Sequence, residues 1–312
     1  MPRYRVIHRT EYRYGERVPA GHSLVHLRPR DTDRQFVHYA RLGILPEPAT
    51  TRLFTDFFGN RAAWFSQQEP HESLAIVATS EVDVAPAVPP ARGPAATPWD
   101  EVPGILDGRT DPVALDARQF LFASHYVPRR HEPAEYARPS FAPGRPLIEA
   151  VMDLTRRIHA EFAFDPSATT VGTPVLEVLK RRRGVCQDFA HLQVSCLRSL
   201  GLPARYVSGY LMTRPPPGKP RMVGSDVSHA WVGVYLPDHG WIDFDPTNDV
   251  IASDEHITVG WARDYQDLAP VAGVITGGHQ HTLKVSVDVE PLTSTGTPAD
   301  AMSLVAARVP TS

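Results

Sequence analysis

Six prolines, Pro86, Pro89, Pro90, Pro94, Pro98 and Pro103, crowd into a short stretch among alanines and glycines. Such a stretch continues neither a helix nor a sheet, so it divides the chain into parts that must fold by different rules. Before it the pattern is that of strands. Tyr4, Val6, His8, Thr10, Tyr12 and Tyr14 alternate with a face that carries Arg3, Arg5, Arg9 and Arg13, which is the period of a β-strand. Leu74 to Val84 repeats it, and Val37 to Leu45 and a turn at Asp56-Phe57-Phe58-Gly59-Asn60 lie between. Residues 1–85 are therefore expected to form a small antiparallel β domain. Its histidines, His8, His22, His26 and His38, show no ligand spacing and are assigned to surface or packing roles.

After the proline stretch the period becomes helical. Leu147, Val151, Leu154, Ile158 and Phe162 step by three or four residues behind Pro146, a proline suited to a first turn. A second helix is expected from Thr173-Pro174 to near Gly184, and a third from Cys186 to Leu200, stopped by Gly201-Leu202-Pro203. Strands follow at Arg205 to Leu211, Ala230 to Tyr235, Trp241 to Asp245 and Leu283 to Val289, with a proline-rich loop from Arg214 to Pro220. The expected division is 1–85, a Pro/Ala-rich linker at 86–110, a catalytic core at 111–270, a C-terminal β-strand region at 271–292 and a flexible tail at 293–312.

Composition narrows the function. With 32 Lys and Arg against 35 Asp and Glu, the 312-residue chain has a formal charge of −3, so no bulk basic field holds a nucleic acid. No apolar run is long enough for a membrane span or a signal peptide, and a cytoplasmic location is expected. The two cysteines, Cys186 and Cys196, fit neither a disulfide framework nor a redox C-x-x-C. Metalloprotease, nucleotide-loop, dinucleotide and serine-hydrolase motifs are absent.

Cys186 stands where a helix begins, facing unpaired N–H groups and a positive dipole end that favour thiolate. Cys196 lies on the apolar stripe of the same helix as a structural thiol. His229 opens the next apolar strand, and Asp243 and Asp245 lie on the strand after it. If His229 faces Asp245 across an antiparallel hairpin, the turn centres on Pro237, and both side chains emerge on one face. Asp243 shares that parity and is the rival partner. A thiolate, an imidazole and a group that fixes its tautomer are what papain-type chemistry requires.

The runs Arg183-Gly184-Val185-Cys186-Gln187-Asp188-Phe189-Ala190-His191, Gly201 to Tyr210, Ser228-His229-Ala230-Trp231 and Trp241-Ile242-Asp243-Phe244-Asp245-Pro246-Thr247 resemble the core of the transglutaminase-like superfamily. Residues 1–85 resemble the N-terminal β region of bacterial members, and His256-Ile257-Thr258-Val259 with Arg263-Asp264-Tyr265 belongs to the same likeness. The resemblance implies an α+β, papain-like core in which the Cys helix packs on an antiparallel sheet. It assigns catalysis to Cys186, His229 and Asp245, the aspartate before Pro246. Animal transglutaminases place an oxyanion-stabilising tryptophan well before the Cys, and none lies between Trp99 and Cys186 here. The backbone N–H of Cys186 is left as the oxyanion donor.

The function expected is cysteine-dependent acyl transfer on amide or peptide bonds through a thioester, with hydrolysis favoured over transamidation. A protein or peptide is the expected substrate, with no cofactor or metal. Gln187, Asp188, Tyr210 and Trp231 are candidate cleft residues, and the loop at Pro215 to Gly218 a candidate substrate lip. Protein-glutamine transglutaminase or peptide-ligase activity is the nearest alternative. A non-catalytic assembly module with a vestigial site is the other, and the intact Cys, His and Asp set speaks against it.

Overall fold

A computed structural model describes residues 1–88, 96–213 and 227–292; the proline-rich loop and the tail from 293 lie outside the described residues. Strands come first: β1 (Arg3–Val18), β2 (Ala20–Val25), β3 (Gln35–Leu45), β4 (Thr50–Thr55), β5 (Arg61–Gln67) and β6 (His71–Val84). Then follow α1 (Val102–Asp107), α2 (Pro112–Arg118), α3 (His131–Ala137), α4 (Leu147–Glu161), the short β7 (Ala163–Phe164), α5 (Val175–Arg181), the short β8 (Arg183–Gly184) and α6 (Cys186–Ser199). The chain returns to strands with β9 (Ala204–Leu211), β10 (Val227–Leu236), β11 (Gly240–Asp245), β12 (Val250–Ile251), β13 (His256–Ala262), β14 (Val271–Thr276) and β15 (His281–Leu292).

The larger strands form three sheets, ordered β15-β1-β6-β3, β14-β2-β5-β4 and β12-β11-β10-β9-β13. The alternation of β1 is realised: Tyr4, Val6, His8 and Thr10 are buried. The first sheet is a shared wall. At one end Leu74, Ile76 and Ala78 pack on Val25, Ala63 and Phe65 of the second sheet. At the other, Tyr4, Val6, Val287 and Val289 pack on Tyr210 and Ile257 of the third. The C-terminal β14 and β15 complete the first two sheets, β15 pairing with β1 from Arg3↔Leu292 to Tyr14↔His281.

The expected linker at 86–110 is corrected in its second half. Val102 and Leu106 of α1 are buried in the main core. Pro103 sits in the first turn of α1, where a proline breaks no hydrogen bond. α5 also ends earlier than expected, at Arg181, because Arg182 turns left-handed with φ 56°.

α6 is the central helix, buried from Asp188 to Arg198. Its surroundings are the helices α3, α4 and α5 and the strands β9 and β10. Cys196 is fully buried, and burial pushes its thiol pKa above the usual range. Among the described residues no helix is long and apolar enough to cross a membrane.

Candidate active site

Cys186 is the first residue of α6 and is half-buried. The first N–H groups of a helix have no partner within it, and the end of α6 is finished by a residue three positions on. Asp188 Oδ2 accepts the Val185 N–H at 2.8 Å and the Thr169 hydroxyl at 2.6 Å. Gly184 makes that possible, since a Cβ there would lie 2.7 Å from Asp188 Oδ2. Asp188, 3% exposed, therefore holds the helix end and does not line a cleft. Gln187 is half-buried and donates from Nε2 to the Val171 carbonyl at 3.2 Å.

The Cys186 side chain lies near enough to the His229 ring to raise its pKa, and His229 Nε2 donates to Asp245 Oδ2 at 2.7 Å. The structure thus brings together the three residues read from the sequence. The hairpin register differs from the one expected. Gly233 pairs with Asp243 and Leu236 with Gly240, two residues away from a direct opposition of His229 and Asp245. The turn holds three residues and Gly240 is left-handed at φ +82°, a common hairpin geometry. An even offset preserves parity, so the faces hold.

Parity alone left two aspartates. Asp243 Oδ2 accepts the Trp231 indole N–H at 3.1 Å, and Asp245 receives His229. Trp231 is fully buried, with its ring lying over Gly209, where a Cβ would be 2.6 Å from it. It supports the site from beneath. Tyr210 is corrected: it pairs with Ser228, one step off the His229↔Gly209 pair, and so points to the other side of the sheet. There it is buried against His8 and the β module.

Two residues that sequence reasoning did not single out complete the site. Asn248 donates from Nδ2 to Asp245 Oδ2 at 2.6 Å, and His256 Nε2 lies 3.1 Å from the same oxygen. The Ser253 N–H points at His256 Nδ1 at 3.3 Å, which leaves the ring proton on Nε2, directed at Asp245. His256 stands in a run that carries the family resemblance, but no strand is read there from the sequence and its partner is set by the fold.

The nitrogens of His229 and His256 and a carboxylate oxygen of Asp245 lie within 4.8 Å of one another, a set of metal-ligand types. Both rings use Nε2 as a hydrogen-bond donor to Asp245, which commits these atoms to each other. Burial opposes charge on both members of the central pair. For His229, the hydrogen bond to Asp245 and the nearby Cys186 side chain outweigh it and carry the pKa up to about 10. For Asp245, hydrogen bonds from His229 and His256 hold the pKa well below the usual carboxylate range. The arrangement can therefore stabilise an imidazolium beside a sulfur.

Residues 134–246 match the transglutaminase-like superfamily core, and residues 4–83 match the bacterial transglutaminase-like N-terminal region. An uncharacterized protein of Mycobacterium tuberculosis is 44% identical over 297 residues, covering 93% of each chain. A protein-glutamine gamma-glutamyltransferase of Pseudomonas aeruginosa is 31% identical over 136 residues, 43% of this chain and 20% of that one. A crystal structure of a proposed cysteine protease from Cytophaga hutchinsonii superposes with a TM-score of 0.73 at 20% identity, covering 95% of this chain and 93% of that one. With its two halves matched in order and a relative aligned across nearly its full length, this chain belongs to the transglutaminase-like superfamily.

Proposed function

We propose that the protein is a cysteine-dependent acyl-transfer enzyme that hydrolyses amide bonds of a peptide or protein substrate. The observation that carries this reading is that His229, with Cys186 beside it, hydrogen-bonds the fully buried Asp245. A thiolate at Cys186 attacks the amide carbonyl, and the developing oxyanion faces the Cys186 backbone N–H. The C–N bond breaks as His229, charged, gives its proton to the departing amine. Water then attacks the thioester with His229 as base, releasing a carboxylic acid and restoring the thiolate–imidazolium pair.

Transamidation is the second reading, favoured by the similarity to the Pseudomonas glutamyltransferase. The two differ in the acceptor alone. Incubation of the protein with a library of glutamine-containing peptides and peptide amides, with and without a primary amine, separates them by mass spectrometry. Acid product without added amine, a transient substrate adduct on Cys186 and loss of both in Cys186→Ala are the expected results. Product formed only with amine replaces hydrolysis by transfer, and product unchanged in Cys186→Ala removes both readings.

A further inference from the structure

β13 is the edge strand of the third sheet, and its outer side is satisfied by side chains of the β module in place of another strand. Gln35 accepts the Thr258 N–H at Oε1 (2.8 Å) and donates from Nε2 to the Thr258 carbonyl (2.7 Å). Asn60 accepts the Trp261 N–H at Oδ1 (3.0 Å) and donates from Nδ2 to the Trp261 carbonyl (2.9 Å). Each amide reproduces the donor and acceptor of a neighbouring strand residue. They straddle the irregularity between Thr258 and Gly260, where the ladder with β9 shifts. Gly260 leaves the space: a Cβ there would meet Asn60 Oδ1 at 2.5 Å. Asn60 is held in turn by Asp56, which accepts its backbone N–H at 2.7 Å and its Nδ2 at 2.9 Å.

The same strand opens with His256, 4% exposed, whose Nε2 meets Asp245 and whose ring is met edge-on by Trp231 at 5.2 Å. We propose that His256 is a positioning residue for the Cys186–His229–Asp245 series, and that the β module sets it in place by clamping β13 through Gln35 and Asn60. The proposal rests on the reading of Cys186 as the nucleophile. Without His256, Asp245 Oδ2 keeps only Asn248, an exposed residue, beside His229. A carboxylate free to turn supports the imidazolium less well, and Cys186 is activated less. The titratable groups that meet here come from four elements: Cys186 from α6, His229 from β10, Asp245 from β11 and His256 from β13.

The test is the rate of Cys186 alkylation by iodoacetamide against pH, read by peptide mass spectrometry on the full chain. The thiolate displaces iodide, so the rate follows the thiolate fraction. The wild type is expected to react rapidly below pH 7. His256→Ala is expected to slow alkylation about tenfold at pH 6. His256→Gln, which keeps an N–H donor, is expected to recover most of the rate. Gln35→Ala combined with Asn60→Ala is expected to shift the curve the same way, with little added by His256→Ala on top. Should that pair fail to fold, Gln35→Ala alone reads the same direction. A His256→Ala curve that superposes on a fast low-pH wild type overturns the positioning role. Clamp and His256 shifts that simply add overturn the coupling. A wild type that labels only at alkaline pH overturns the nucleophile reading, and this proposal with it.

Discussion

Asp245 has no exposed surface, yet its pKa is held down. The reason is its donors: His229, His256 and Asn248 side chains on Oδ2, and the Thr247 and Asn248 backbone N–H groups on Oδ1. A buried carboxylate satisfied by so many donors stays ionised and fixed in direction. Asp245→Asn keeps the shape but presents an amide that favours the wrong imidazole tautomer. Turnover of an amide substrate is expected to fall by about three to four orders of magnitude, measured as kcat/KM. His229 adds a pH signature. Because its folded pKa lies above its unfolded value, its contribution to stability is complete below about pH 6.5 and is lost as pH rises through about 10. Thermal unfolding between pH 6 and 11 is expected to show Tm falling across this window, and the fall to be much reduced in His229→Gln.

At the scale of the element, the start of α6 carries the greatest demand. Its Ncap, Val185, has no capping oxygen, and the Asp188 side chain closes back on the Val185 N–H in its stead. Gly184→Ala puts a methyl against that carboxylate. Urea unfolding is expected to show a loss of about 1–2 kcal/mol, the usual worth of a helix cap, and Cys186 alkylation at pH 6 is expected to slow as the turn shifts. The β10–β11 hairpin illustrates a different tolerance. Its register moved two residues from the one expected, yet both aspartates stayed on the His229 side. Gly233 leaves the opposite requirement visible: a Cβ there would meet Arg205 Nε at 2.7 Å and Asp243 Oδ1 at 2.9 Å. In that space Arg205 lies between Trp241 and Trp261, 4.2 and 3.8 Å from their ring centroids.

For the whole molecule, the last described strand returns to the first. β15 runs antiparallel to β1 along twelve paired positions, and β14 closes the edge of β2. Val287 and Val289 of β15 fill the space between the first sheet and the third. A chain stopped at residue 270 loses that packing and bares the edge of β1. It is expected to be largely insoluble or to unfold well below the full protein, by solubility and by thermal unfolding.

Local periodicity determined much of this protein. The strands β1 and β6, the helices α4 and α6, the cysteine at a helix start and the shared side of His229 and Asp245 all follow from repeats of two or of three to four residues. Such repeats are read from neighbours in the chain, and a register slip of two does not disturb them. The tertiary structure decided what depends on distant partners: that Tyr210 faces the β module, and that β14 and β15 complete sheets begun more than 200 residues earlier. His256, Asn248, Gln35 and Asn60 belong to the same class. A polar side chain leaves no period in the sequence when its role is to satisfy one buried carboxylate or one edge-strand amide, because that demand exists only once the chain has folded.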